Sequence, residues 1–356
     1  MSRFMSQSTA ALSPYVPGEQ PKDAVYIKLN TNECPYPPAP GVADALIEAG
    51  KTAALYPDPE ANKLRLAIAK QYSLHKNSVF AANGSDEVLA FAYMAFFDRG
   101  DKVYFPKPSY GFYPVYADLF KLSAHPIALA DDFTLRVKDY LGLDGNIIIA
   151  NPNTPTGIAL PRRGIEQILA GNPDRLIIVD EAYVDFADDI SALPLLEHYD
   201  NLLIVKTFSK SRSMAGLRLG YSFSRPEHID ALERIKFSFH PYNINKATQL
   251  AGIAAVQDSG YLRHVLGKIK ATRTWVTERL REIGFIVLDS SANFIFVSLP
   301  GTRGDKLAAL LRDKGVLVRF FDTLQTADFI RVSIGTDEDM DAFVRAMEEI
   351  VCKRMI

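Results

Sequence analysis

Cysteine is nearly absent: Cys34 and Cys352 are the only two in 356 residues. Two thiols so far apart in sequence suggest neither a disulfide framework nor a thiolate metal site, so both are expected to be spectators. Net charge is equally sparse, at −2 from 40 basic and 42 acidic residues. That balance leaves no electrostatic footprint for nucleic acid or an anionic membrane. There is no run of 18 apolar residues and no signal-peptide core near Met1, so a cytoplasmic location is the expectation. No G-x-G-x-x-G follows a strand-like segment, which removes the main support for a nicotinamide-dependent oxidoreductase. Internal repeats and low-complexity tracts are also missing. What remains is an ordinary globular composition, 48% hydrophobic and 23% charged, on a chain longer than one core usually needs. Two domains or one large α/β domain are therefore expected.

The chemistry concentrates between Leu176 and Tyr221. Two short apolar runs there, LIIVD and NLLIVK, read as strands buried on both faces of a parallel sheet. The first ends at Asp180 with Tyr183 close behind, and the second leads into Thr207, Ser209 and Lys210. Open α/β sheets bind ligands beyond the carboxyl ends of their strands, so both clusters should face one crevice. A lysine amine forms a Schiff base with an aldehyde cofactor when its site is crowded and partly desolvated. A carboxylate facing a pyridine nitrogen keeps that ring protonated and electron-accepting. Lys210 fits the first role and Asp180 the second, while Arg218 supplies a bidentate cation suited to a phosphate. Alone, each is an ordinary strand-end residue; the shared spacing points to a pyridoxal phosphate site.

Upstream, SVFAANGSDEVLAFAYMAFF predicts a strand, a tight turn and an apolar helix. The amide groups opening such a helix make an anion site, and Gly84 leaves it unobstructed. Ser85 and the backbone are expected to hold the anion, while the Asp86 carboxylate turns back to cap the helix. A long helical stretch covers about 244–284, with a break at Ser259-Gly260. The segments FIVLD, NFIFVSL, GVLVRFF and DFIRVSIG then alternate with two helices as an α+β layer. Arg319 and Arg331 lie on strands of that layer in apolar surroundings, where an isolated guanidinium is costly unless an anion neutralises it.

DEAY, TFSKS and AGLRLGY together resemble the Schiff-base region of fold-type-I pyridoxal-phosphate aminotransferases, most closely the histidinol-phosphate aminotransferase family. The likeness extends from about Ser13 to Ile350. It implies an α/β fold: an arm over 1–25, a large domain over 26–250 with a mainly parallel sheet between helices, and a smaller α+β domain over 251–356. It implies that Tyr183 and an amide bond the phenolic oxygen of the cofactor and that Tyr110 stacks on its ring. The turn Asn151-Pro152-Asn153-Thr154-Pro155-Thr156-Gly157 is similar to N-P-x-N-P-T-G but has Thr154 before Pro-Thr-Gly, where many relatives carry asparagine. Either Asn153 supplies the amide from one position earlier or Thr154 supplies a hydroxyl; Asn153 is preferred. Tyr56 matches a tyrosine that crosses a dimer interface to the neighbouring phosphate, which implies a homodimer with shared sites. Tyr15, Asn32 (within LNTNE), Tyr242, Arg319 and Arg331 match substrate contacts, whereas His240 reads better as a surface histidine. The implied reaction is amino transfer from histidinol phosphate to 2-oxoglutarate, a step of histidine biosynthesis. Aromatic and other amino-acid aminotransferases and a threonine-phosphate decarboxylase share nearly all the motifs. A gene regulator built on this fold would carry an amino-terminal DNA-binding module, and only about 25 residues, the expected arm, precede the expected large domain.

Overall fold

The computed structural model describes residues 2–22 and 24–354. Seven strands form the main sheet: β1 (Val79–Ala82), β2 (Lys102–Lys107), β3 (Ser123–Ala128), β4 (Asn146–Ala150), β5 (Ile177–Asp180), β6 (Leu202–Thr207) and β7 (Gly220–Phe223). Their spatial order is β1-β7-β6-β5-β4-β2-β3. β7 runs antiparallel to both of its neighbours, and the remaining pairs are parallel. The continuous apolar runs reflect burial from both sides. Ile147, Ile149, Ile177, Val179 and Ile204 pack into one core, while Ile148, Ile178, Leu203 and Val205 pack into another across the sheet. Each such side chain contributes roughly 1.5–3 kcal/mol on burial. The helix Ser85–Phe96 is apolar on most sides because it lies between the sheet and the helix Pro226–Phe239.

The long helical stretch is two helices, Lys246–Gln257 and Ser259–Glu282. The break falls one residue earlier than the Ser-Gly pair, at Asp258, whose carboxylate accepts from the Tyr261 backbone N–H at 2.9 Å as an N-cap. The first helix packs on the helices Gly41–Lys51 and Asn62–Gln71, and the second enters the core of the C-terminal layer. That layer is a four-stranded antiparallel sheet of β8 (Ile286–Val287), β9 (Phe294–Ser298), β10 (Arg319–Phe320) and β11 (Phe329–Ser333), in the order β10-β11-β9-β8.

Two connections tie the amino terminus to this layer. Ile27–Lys28, grouped with the large domain on sequence, instead pairs in parallel with Val316–Leu317. The Ser333 N–H then donates to the Leu29 carbonyl, which stitches the Asn30–Glu33 loop to β11. The arm, expected to be extended, begins with a helical turn at Gln7–Ala10 capped by Ser6. It is fastened further on by a bidentate pair of Arg312 with Glu19 (2.7 and 2.8 Å) and by Asn30 Nδ2 donating to the Glu19 carbonyl at 2.9 Å. Cys34 is half-buried and Cys352 exposed, both free. Among the described residues no acidic, histidine and cysteine cluster suits a metal, and no helix is long and apolar enough to cross a membrane.

Candidate active site

The carboxyl ends of β2, β4, β5 and β6 open into one cavity of about 910 Å³, whose wall includes Tyr15 of the arm and Arg319 and Arg331 of the C-terminal layer. Asp180, Tyr183, Thr207, Ser209 and Lys210 all reach it. Asp180 ends β5 and is 5% exposed. Burial pushes its carboxyl up to about 6, against hydrogen bonds from the Tyr113 hydroxyl (3.0 Å) and the Ala182 N–H (3.1 Å). Lys210 Nζ donates to the Thr31 carbonyl at 3.1 Å and lies 5.7 Å from the centre of the Tyr183 ring.

A second group surrounds the start of the Ser85–Phe96 helix. Gly84 has φ +94°, and a Cβ there would sit 2.6 Å from Arg218 Nη2. A Cβ on Gly220 would fall 2.3 Å from the Gly84 carbonyl carbon and the Ser85 nitrogen, so Gly220 is needed for the two backbones to approach, while Gly84 is needed for its positive φ. Arg218 donates to Asp86 Oδ2 at 3.2 Å, Ser209 Oγ at 3.5 Å and the Ala215 carbonyl at 3.4 Å. The capping expected of Asp86 is corrected here. Its carboxylate points outward, accepting from Tyr110 Oη at 2.8 Å as well as from Arg218. Glu87 turns back instead, accepting the Asn83 N–H at 2.6 Å. The cation and the phenol on the wall hold Asp86 toward them, and Glu87, at the third helical position, reaches back to the turn.

Asn153, preferred over Thr154 as the amide facing the cofactor oxygen, is bonded within its own turn. Asn153 is buried, and its amide nitrogen donates to the Pro108 carbonyl (3.1 Å) and Thr156 Oγ1 (3.0 Å), holding the turn against the segment after β2. Thr154 is the one on the cavity wall, with its hydroxyl accepting from Arg331 Nη1 at 3.1 Å. Arg331 Nη2 donates to the Asn30 carbonyl at 3.0 Å, while Nε is buried without a partner. The guanidinium lies near the rings of Phe294 (5.4 Å) and Phe321 (5.2 Å), and burial lowers its pKa from the usual arginine value. Arg319 reaches the wall but donates to the arm carbonyls of Val16 (3.0 Å) and Pro17 (3.2 Å).

Asn32, expected at the substrate, is 1% exposed and set behind the wall. Its amide donates to Tyr183 Oη at 3.0 Å. Tyr15 packs on Phe112 at 4.6 Å between ring centres and lines the cavity beside Tyr110. Tyr56 is 80% exposed and stacks on Tyr242 at 4.7 Å; neither lines this cavity. His240 is exposed at the end of the helix Pro226–Phe239. Tyr113, Thr31, Phe294 and Phe321 join the site without any signal that singled them out in sequence. Tyr113 was one of several aromatic residues in its segment, and Thr31 acts through its backbone carbonyl. Chemically, the cavity offers a carboxylate and a primary amine, one anion-binding group beside Ser85 and another beside Thr154.

The family model for aminotransferase class I and II matches residues 24–347. Among curated proteins, histidinol-phosphate aminotransferase of Brachyspira hyodysenteriae is 49% identical over 352 residues, covering 99% of each chain. The enzyme of that name from Acetobacter pasteurianus is 44% identical over 357 residues, covering 100% of each. Among solved structures, histidinol-phosphate aminotransferase from Clostridium acetobutylicum superposes with a TM-score of 0.85 at 26% identity, covering 92% of this chain and 99% of its own. The Sinorhizobium meliloti enzyme of that name, solved with pyridoxal-5'-phosphate, has a TM-score of 0.89 at 24% identity, covering 99% of each, and speaks for the fold.

Proposed function

The chain belongs to the aminotransferase class I and II family, and on that premise we propose that it is a pyridoxal-phosphate-dependent histidinol-phosphate:2-oxoglutarate aminotransferase. The observation that carries this reading is that Lys210, Asp180, Arg218 and Arg331 line a single cavity. The residues fit the cofactor. A Cβ on Gly84 would fill the space in front of the forked Arg218 cation at the Ser85 helix start, which the glycine leaves open for an anion. Arg331 carries an orphan buried Nε with no carboxylate bonded to it among the described residues, as an anion-binding arginine would.

When bound, pyridoxal phosphate supplies a carbonyl to capture the donor amine and a ring that withdraws electrons from the substrate α-carbon. Lys210 would hold it covalently at rest. Once displaced, the Lys210 amine would take the α-proton and return it at C4′, with general acid–base catalysis supplying about 10²–10⁴-fold. Asp180 would keep the ring nitrogen protonated, Tyr183 would donate to the phenolic oxygen, and Tyr110 would lie against the ring. Gly84, Ser85, Thr207, Ser209 and Arg218 would hold the phosphate. Arg331, with Arg319 of the same layer and Tyr15 of the arm, would receive the anionic group of the substrate; Arg319 would exchange two arm carbonyls for that charge.

A homodimer completes the reading. Ile47, Leu55, Tyr56, Phe239 and Tyr242 expose large apolar side chains on neighbouring segments, a surface that a second copy would cover while Tyr56 reached its phosphate. Relatives named histidinol-phosphate aminotransferase, 49% and 44% identical over nearly the whole chain, support histidinol phosphate as the amino donor. The test is to load the purified protein with pyridoxal phosphate and add histidinol phosphate alone, then with 2-oxoglutarate. The visible band should convert on the first addition and recover on the second, with kcat/KM well above that for aromatic amino acids. A stronger response to aromatic donors, or carbon dioxide release without 2-oxoglutarate, would replace this assignment.

A further inference from the structure

We infer that Ser333 and Asn32 are positioning residues that set the direction of the Tyr183 hydroxyl hydrogen, making Tyr183 a one-way donor into the cavity. This rests on the cofactor reading above. The three residues come from different parts of the chain: β11, the Asn30–Glu33 loop and the segment after β5.

The hydrogen bonds can be counted through. Ser333 Oγ accepts the Asn32 backbone N–H at 2.8 Å and gives its single hydrogen to Asn32 Oδ1 at 3.0 Å. That contact fixes the amide: its oxygen faces Ser333 and its nitrogen faces Tyr183. An amide nitrogen only donates, so at 3.0 Å the Tyr183 oxygen must accept. The one hydrogen on that oxygen cannot then point back at Asn32, and the open direction is the cavity whose wall Tyr183 forms. The reverse amide orientation would take from the Ser333 hydroxyl hydrogen the acceptor it has in Asn32 Oδ1 and set NH₂ against it. It would also turn a carbonyl toward Tyr183 and draw the phenolic hydrogen away from the cavity.

The site is built to keep this arrangement. Asn32 is 1% exposed, so water is kept from its amide, and its φ of +55° is one that asparagine tolerates better than most residues. Asn293 Nδ2 holds the Asn32 carbonyl at 3.0 Å. The demand on Tyr183 is heightened because the Asn153 amide is spent on Pro108 and Thr156. A Tyr183 turned the wrong way would meet the anionic phenolic oxygen of the cofactor with a lone pair.

The other titratable groups near Tyr183 are Lys210, with Nζ 5.7 Å from the ring centre, and Arg331 and Tyr110, which couple to it electrostatically. Substitution at 32 or 333 leaves all three in place. The experiment is a pH titration of the visible band of the cofactor-loaded protein in Asn32→Asp, Ser333→Ala and Ser333→Thr, each also combined with Tyr183→Phe. Taking a hydrogen bond from the anionic phenolic oxygen strengthens its hold on the neighbouring protonated nitrogen, so the transition should move to higher pH. Asn32→Asp, nearly isosteric, offers only acceptors to Tyr183 and should raise the midpoint by about one pH unit, a tenfold change. Ser333→Ala should raise it by roughly half as much and Ser333→Thr should restore it. In the Tyr183→Phe background Ser333→Ala should have no further effect. Midpoints unmoved in both Asn32→Asp and Ser333→Ala, or a Ser333→Ala shift that persists at full size without the Tyr183 hydroxyl, would overturn the relay. If Ser333→Ala does not fold, Asn32→Asp decides when read against Asn32→Asp/Tyr183→Phe: a shift that shrinks without the hydroxyl supports the relay, and one that persists at full size reports only the new carboxylate charge and overturns it. A parent protein with no visible band at all would instead defeat the cofactor reading and the relay with it.

Discussion

Replacing Arg331 by methionine should make the apoprotein more stable and the enzyme much worse. The guanidinium has hydrogen bonds to Thr154 and the Asn30 carbonyl, an unpartnered buried Nε, and no carboxylate bonded to it among the described residues. Exchanging a buried ionic group for a well-packed apolar one is often stabilising by about 1–4 kcal/mol. Methionine keeps the length and the contacts with Phe294 and Phe321. Because Arg331 also faces the cavity and keeps partial access to solvent, the gain belongs at the low end, about 1 kcal/mol. Turnover responds the other way. Leaving a bound anion without its buried partner costs about 2–5 kcal/mol, or roughly 30- to 4,000-fold in kcat/KM at 1.4 kcal/mol per tenfold. Urea unfolding of the apoprotein and steady-state kinetics measure the two halves. A destabilised Arg331→Met protein that kept its kcat/KM would refute the reasoning, because Arg331 would then be a structural bracket between Asn30 and Thr154.

Further outcomes follow from the same geometry. Gly220→Ala places a Cβ 2.3 Å from backbone atoms of Gly84 and Ser85; it should cost about 1–3 kcal/mol or more by overpacking and weaken cofactor retention, read by calorimetry and cofactor titration. Asp180 has its carboxyl raised from 3.8 to about 6 by burial, so the folded apoprotein holds that proton more tightly than the unfolded chain does. Its stabilising effect is therefore full below pH 4 and lost as pH rises through 6. Apo Asp180→Asn should remove that slope and be more stable than the parent at pH 7.5, by at most about 3 kcal/mol at 1.36 kcal/mol per pH unit, while binding the cofactor more weakly. A slope that survives the substitution would remove Asp180 as its source. For the shared-site dimer, mixing Tyr56→Ala with Lys210→Ala protein should restore turnover that neither has alone, since one site of the hybrid is intact; no recovery after verified subunit exchange would count against Tyr56 acting across the interface.

The strands around the site were legible because burial on both faces leaves uninterrupted apolar runs, and their ends named Asp180 and Lys210 directly. The Gly84 turn was legible for a similar reason, since a left-handed backbone before a helix leaves a glycine in the sequence. What stayed hidden were choices between chemically similar neighbours. Asp86 and Glu87 are adjacent acids, and which one turns back depends on Tyr110 and Arg218, brought in from residues 24 and 132 positions away. Asn153 and Thr154 differ by one position, and the register of the turn against Pro108 decides which faces the cavity. Tyr113 and Ser333 carry no local pattern, because their partners Asp180 and Asn32 lie 67 and 301 positions distant.

The most direct measurement is to reduce the pyridoxal-phosphate-loaded protein with borohydride and locate the added mass by peptide sequencing. The label should fall on Lys210 alone and be lost in Lys210→Ala, together with the visible band. A label on another lysine, with Lys210→Ala still coloured and turning over, would contradict the account at its centre.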